Sequence, residues 1–174
     1  VDLKKFFPKE LKEQISIVML PARLLEDKGV REFVDAAKII KNEKIKARFV
    51  LVGAPDPGNP NSIEINELEK WHEEGTIEWW GYQKEMNKIY PRSSIVVLPS
   101  YYGEGIPKTL IEAAACGRAV ITTDHPGCRD AVIPEKTAIL VKPRSPKEIA
   151  DAVKYLFKRK PIMKEMGKAG RKLA

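Results

Sequence analysis

Residues 94–123, SIVVLPSYYGEGIPKTLIEAAACGRAVITT, decide the fold of this chain. Ser94 opens an unbroken apolar run, Ile95-Val96-Val97-Leu98, that stops at Pro99. A β-branched run without polar alternation is the pattern of a strand buried on both faces. Residues 107–116 then read as a helix, and Ala119–Thr123 as a second buried strand. A strand, a helix of about ten residues and another such strand form a βαβ unit, which forces parallel pairing and a right-handed crossover.

The same alternation continues outward. Toward the N-terminus, residues 15–20 form a strand ending at Pro21, and Asp27–Gly29 lead into a helix over 30–41. In that helix Phe33, Val34, Ala37 and Ile40 recur at helical spacing. Residues 47–52 are a second strand closed by Gly53, and the Pro-, Gly- and Asn-rich residues 54–61 are a loop. Ser62 is expected to cap a helix to about Glu74, with Ile65, Leu68 and Trp71 facing inward. Residues 76–80 form a strand turned by Gly81, and a short helix lies near 85–90. Toward the C-terminus come a short helix near 128–132, a strand at Ala138–Val141 and helices over Pro146–Lys158 and 161–173. The expected class is α/β: a Rossmann-like parallel sheet flanked by helices on both faces. Ligands of such sheets sit beyond the carboxyl ends of the strands.

Composition agrees with one globular domain. The chain has 174 residues, 43% hydrophobic and 32% charged. No apolar run approaches the roughly 20 residues that span a bilayer, and no signal-peptide pattern opens the sequence. It begins at Val1 rather than Met, as a piece cut from something longer would. Cys116 and Cys128 lack metal-site spacing and read as small buried thiols of a reducing compartment. The net charge of +7 is uneven: from Lys142 onward eleven basic residues face three acidic ones, giving +8 and leaving −1 for the remainder. That tail is either a solvated helical face or a surface for an anionic partner such as acidic lipid. No aromatic residues interleave with the charges to stack bases, which argues against nucleic acid.

Two loops at strand ends carry the candidate chemistry. In Pro21–Gly29, Arg23 and Lys28 sit close to a helix start, a seat for a diphosphate. The competing reading pairs them with Glu26 and Asp27 on the surface. In Ser100–Glu112, Gly103 and Gly105 permit unusual backbone and close approach to a ligand. Pro107 suits the first helical position, and the amides of Gly105 and Ile106 would offer donors. Glu104 in the loop and Glu112 in the helix would accept from two hydroxyl-bearing parts of one ligand. The blander readings are a carboxylate favoured at a helix N-terminus for Glu104 and a helix-surface residue for Glu112.

These residues carry a resemblance. Ala22-Arg23-Leu24-Leu25-Glu26-Asp27-Lys28-Gly29, Leu51-Val52-Gly53, Trp80-Gly81, and Pro99-Ser100 followed by Glu104-x7-Glu112-Ala113 resemble the donor-binding half of family 4 glycosyltransferases, retaining enzymes of the GT-B fold. Residues 114–120 and 122–129 resemble the branch that builds bacterial surface polysaccharides on polyprenyl-diphosphate carriers. The resemblance implies that Arg23 and Lys28 neutralise the donor diphosphate and stabilise it as it leaves. It implies that Glu112 binds the ribose diol and that Glu104 holds hydroxyls of the transferred sugar, so Glu104, Arg23 and Lys28 form the expected catalytic set. Main-chain groups of Gly105, Ile106 and Lys108 would bind sugar and phosphate; Pro107 has no amide to give. Gly53 would line the site, and Trp80-Gly81-Tyr82 would edge the base. No metal or other cofactor is expected, since cations and a helix terminus supply the positive field, and His72 and His125 have no ligand-spaced companions.

The implied organisation is a remnant of an interdomain linker at 1–12 and a nucleotide-sugar (donor) domain at 13–174, with the N-terminal acceptor domain absent. The implied reaction moves a hexose or N-acetylhexosamine from a UDP-sugar, with a GDP-sugar the second choice, to a lipid-linked or oligosaccharide acceptor. The fragment alone is expected to be inactive. The expected location is cytoplasmic, peripheral on the inner face of the cell membrane. A non-catalytic sugar-nucleotide-binding module, and a glycogen-synthase-like or epimerase relative, are the alternatives.

Overall fold

The computed structural model describes residues 1–103 and 105–174; Glu104, one of the expected catalytic residues, lies outside the described residues. Six strands, β1 (Ile17–Pro21), β2 (Arg48–Val52), β3 (Glu78–Trp79), β4 (Ile95–Leu98), β5 (Ala119–Thr123) and β6 (Ala138–Val141), form one sheet in the order β3-β2-β1-β4-β5-β6. Every pairing is parallel. This is a doubly wound arrangement whose strand order reverses between β1 and β4, opening a crevice at their carboxyl ends.

Side-chain alternation builds a core on each face. Val18, Leu20, Phe49, Leu51, Ile95, Val97, Ala119 and Ile121 point to one face. There they meet α1 (Val30–Asn42), α2 (Ile65–Glu73) and α6 (Pro146–Lys158). Val96, Leu98 and Val120 point to the other, against α4 (Lys108–Ala115) and Cys128 of α5 (Pro126–Asp130). Ile17, Met19, Val50 and Val52 share that second face with Met86 and Ile89 of α3 (Met86–Ile89). Both cysteines are free and buried, and burial pushes the Cys116 thiol up to about 11.

Three local expectations change. Ser62 does not cap α2: the helix starts at Ile65 without a side-chain cap. The Ser62 hydroxyl instead accepts the Asp56 amide at 2.8 Å and steadies the preceding loop. Leu68 and Trp71 are buried as expected, but Ile65, the first residue of the helix, is 47% exposed. The third strand shrinks to two residues, since an edge strand pairs only with the part of β2 that reaches it.

The N-terminal segment packs against the domain. Phe6 is 8% exposed and meets Tyr90 edge-on, ring centroids 6.2 Å apart. Burying a phenylalanine contributes about 2–3 kcal/mol. Arg171 of α7 (Lys160–Leu173) donates to the carbonyls of Phe6 at 2.7 Å, Ala115 at 2.8 Å and Leu3 at 3.3 Å. Part of the basic tail is therefore structural rather than a solvated face. Among the described residues no helix is long and apolar enough to cross a membrane.

Candidate functional site

A cleft of about 970 Å³ opens at the carboxyl ends of β1 and β2, bordered by the first turn of α4. Its wall combines Pro21, Ala22 and Arg23 after β1 with Gly53 to Asp56 after β2. Across from them stand Tyr90 and the α4 residues Lys108, Thr109 and Glu112. Parallel topology brings these together: each strand delivers its following loop to the same end, so segments ninety residues apart share one surface.

Glu112 is the distinctive group. It is buried, at 7% exposure, not the helix-surface residue that spacing alone allowed. The Tyr90 hydroxyl donates to its Oε2 at 2.9 Å. The exposed Lys108 ammonium stands 3.6 Å from its Oε1. Ionised carboxylates have about four acceptor sites, so acceptor capacity remains on the cleft side. Burial, and then the Glu112 charge, pushes the Tyr90 hydroxyl well above its ordinary value, so the tyrosine keeps its proton and keeps donating. Thr109 Oγ1 donates to the Pro21 carbonyl at 3.2 Å, tying the start of α4 to the end of β1.

Arg23 faces the cleft with a weak partner. Its guanidinium reaches Asp56 at 3.4 Å with both side chains largely exposed, and exposed pairs of this kind contribute about 0–1 kcal/mol. The competing reading, a local pair of Arg23 with Glu26, is not what the structure shows: Glu26 binds Arg31 at 3.0 Å. Lys28 closes a 3-10 turn, Glu26–Lys28. That turn is held to the loop after β4 by the Tyr101 amide at 3.0 Å and the Ser100 hydroxyl at 3.2 Å, both donating to the Asp27 carbonyl.

Among the described residues, Arg23, Gly53, Tyr82, Lys108 and Glu112 line the cleft, whereas Lys28, Trp80, Gly81, Gly105, Ile106 and Pro107 stand outside its wall. Gly53 has φ +148°, and a Cβ there would lie 1.9 Å from the Ala22 carbonyl oxygen. Its amide donates to the Gly81 carbonyl at 2.8 Å and its carbonyl accepts the Trp79 indole at 2.9 Å. Gly53 thus joins the β1, β2 and β3 ends. Trp80 turns toward Glu78 and the Arg92 guanidinium, 4.2 Å from its ring. Tyr82 is 75% exposed at the rim.

Two expectations about the α4 loop are corrected. Gly103 is not among the glycines with positive φ, and a Cβ on Gly103 or Gly105 would meet nothing within 4 Å among the described residues, so a close approach at Gly103 uses room rather than strained backbone. Pro107 is the residue before α4, with extended ψ of 124°, and Lys108 is the first helical residue. Sequence reasoning missed Tyr90, Thr109, Asp56 and the N-terminal residues Val1, Asp2, Lys5 and Phe6, which also border the cleft. Asp56 lay in a strand-end loop, where a site was expected. Tyr90 had no signal, because only folding brings it to Glu112.

Residues 2–173 match the family Glycosyl transferases group 1. An N,N'-diacetylbacillosaminyl-diphospho-undecaprenol alpha-1,3-N-acetylgalactosaminyltransferase of Campylobacter jejuni is 32% identical, over 97% of this chain and 46% of that protein. The chain thus spans less than half the length of this relative. Among solved structures, a sucrose-phosphate synthase from Thermosynechococcus elongatus superposes with TM-score 0.85 at 28% identity, over 99% of this chain and 45% of the other. The Anabaena protein Alr3699/HepE, solved with UDP and glucose, superposes with TM-score 0.84 at 16% identity, over 99% and 50%. That last likeness is one of fold.

Proposed function

Because the chain belongs to the group 1 glycosyl transferases, we propose that it is the donor-binding half of a retaining transferase that moves a hexose or N-acetylhexosamine from a UDP- or GDP-sugar to a lipid-linked or oligosaccharide acceptor. The observation that carries this reading is the buried Glu112 carboxylate, positioned by Tyr90 and bordering the strand-end cleft opposite Arg23. A vicinal diol satisfies one ionised carboxylate with two O–H donors, which fits the ribose of a nucleotide. Arg23 can leave its loose pair with Asp56 for the stronger, charge-assisted bonds of a diphosphate. Tyr82 at the rim presents an aromatic face where a base would lie.

Arg23, with Lys28, would stabilise the nucleoside diphosphate as the bond from the sugar to its oxygen breaks, and this electrostatic help is the main source of rate. Glu104 would hold the sugar hydroxyls, and the amides of Gly105, Ile106 and Lys108 would complete the seat. On this reading the cations and the helix terminus do the work a metal does elsewhere. The preference for UDP is supported by the Anabaena fold relative solved with UDP and glucose. The lipid-linked acceptor is supported by the Campylobacter relative, whose name describes transfer to a diphospho-undecaprenol-linked sugar.

Titration calorimetry with UDP and with GDP tests the reading. Heat with UDP is expected, and Arg23→Ala and Glu112→Ala should each weaken affinity by about 10- to 100-fold, the loss of one charged hydrogen-bonded contact. Tyr101→Ala should leave it nearly unchanged. No heat with either nucleotide refutes the donor site, and unchanged affinity in Glu112→Ala refutes the ribose role.

A further inference from the structure

A second groove, of about 1130 Å³, lies at the other end of the sheet, along the residues that precede β4, β5 and β6. Eight basic residues border it against two acidic ones, Glu10 and Glu165. Lys160, Lys164 and Lys168 come from α7, and Lys136 from the turn before β6. Three large apolar side chains share its wall while remaining exposed: Leu11 at 42%, Ile133 at 40% and Leu173 at 46%. Helix α7 turns Met166, Gly167 and Gly170 into the domain and leaves the lysines outside. A Cβ on Gly167 would lie 2.1 Å from the Gly117 carbonyl oxygen, so the helix is seated too tightly to turn its charges elsewhere.

Arg118 also lines this groove. It is 6% exposed, its Nη2 donates to the Lys9 carbonyl, and its Nε has no partner among the described residues. A buried guanidinium donor without an acceptor is unfavourable, and phosphate oxygens are the geometry it fits. Cations beside exposed aliphatic side chains, with no aromatic residue in the wall, fit a bilayer surface better than stacked bases.

We propose that this groove docks the protein on anionic phospholipid: the α7 lysines and Lys136 engage headgroup phosphates, Arg118 takes one phosphate into the groove, and Leu11, Ile133 and Leu173 enter the headgroup layer. The groove and the donor cleft lie at opposite ends of the strands, so docking leaves the cleft open. The proposal does not depend on what the cleft binds.

Co-sedimentation with phosphatidylglycerol-containing vesicles and with pure phosphatidylcholine vesicles tests it. Binding to the first and not the second is expected, weakening as salt is raised. Lys164→Glu with Lys168→Glu should lower partitioning by about 30-fold or more, since each surface cation contributes about a factor of five. Both positions are exposed, so the fold should survive. Lys46→Glu with Lys70→Glu, equally exposed and away from the groove, makes the same net-charge change and should bind as the unaltered chain does. UDP calorimetry with and without vesicles should agree, so loss of lipid binding and loss of donor binding are read separately. The proposal is overturned by no binding to anionic vesicles, by equal effects of the two double variants, or by a short RNA that displaces the vesicles through the same lysines. A dimer formed through α7 would also overturn it.

Discussion

Tyr90 is the residue on which the proposed donor site turns. It is 1% exposed, it lies in the 3-10 turn Tyr90–Arg92, and it spends its hydroxyl on Glu112 rather than on solvent. A buried carboxylate that loses its donor either swings toward the exposed Lys108 or keeps its place with a lone pair unsatisfied. Tyr90→Phe preserves the ring contact with Phe6 and removes only the hydroxyl, so it separates positioning from packing. UDP affinity should fall by about 5- to 10-fold, the usual worth of one such hydrogen bond, while the thermal midpoint moves little. Affinity that stays unchanged in calorimetry would show that Glu112 is oriented by the helix alone. A large drop in midpoint would instead assign the tyrosine to the core.

At the level of elements, the edge of the sheet is held by charge. Arg48 of β2 donates to both oxygens of Glu78 in β3, at 2.7 and 2.8 Å, and to Glu13 at 3.0 Å. Glu13 in turn accepts from Arg92 at 2.8 Å. These contacts join the segment before β1, β2, β3 and the turn before β4, where a two-residue strand supplies few ladder bonds. The hydrogen bond from Arg48 holds the Glu78 carboxyl below its ordinary 4.5, and that from Arg92 does the same for Glu13. Carboxyls lowered in the folded state contribute stability that is complete above 4.5 and is lost as pH falls through the lower folded values. Glu32 acts in the opposite sense: burial raises its carboxyl, and its protonation offsets part of the loss. Urea midpoints should therefore drop as pH is lowered from 4.5 to about 3, well below these carboxyls' ordinary range. Arg48→Met should be less stable at neutral pH and show a shallower acid dependence. Parallel curves for the two proteins would remove Arg48 from the account.

For the whole molecule, the cleft is assembled from the ends of β1 and β2, α4 and the N-terminal segment, so only the folded chain possesses it. A ligand of that cleft must stabilise the native state against unfolding. At a UDP concentration one-hundred-fold above its dissociation constant the gain is about 2.7 kcal/mol, which raises the midpoint of a domain this size by roughly 5–10 °C. Differential scanning fluorimetry reads this directly. An unmoved midpoint at saturating UDP would mean that the nucleotide does not use the native cleft.

The sequence by itself determined the class of fold, because burial on both faces of a parallel sheet writes itself into the chain as unbroken apolar runs separated by helical spacing. It also pointed to Arg23 and Glu112 as candidates through the family resemblance, and the structure puts both on one cleft at the strand ends, where doubly wound sheets place their ligands. Tertiary structure alone decided that Glu112 is buried and held by Tyr90, that Arg23 faces Asp56 rather than Glu26, and that Gly53 joins three strand ends. Each of those facts is a contact between segments far apart in the chain, and local propensity carries no information about such pairs. The two poles of the basic tail were decided the same way: Arg171 is spent inside the molecule on the carbonyls of the N-terminal segment, while Lys164 and Lys168 on the same helix are left facing out.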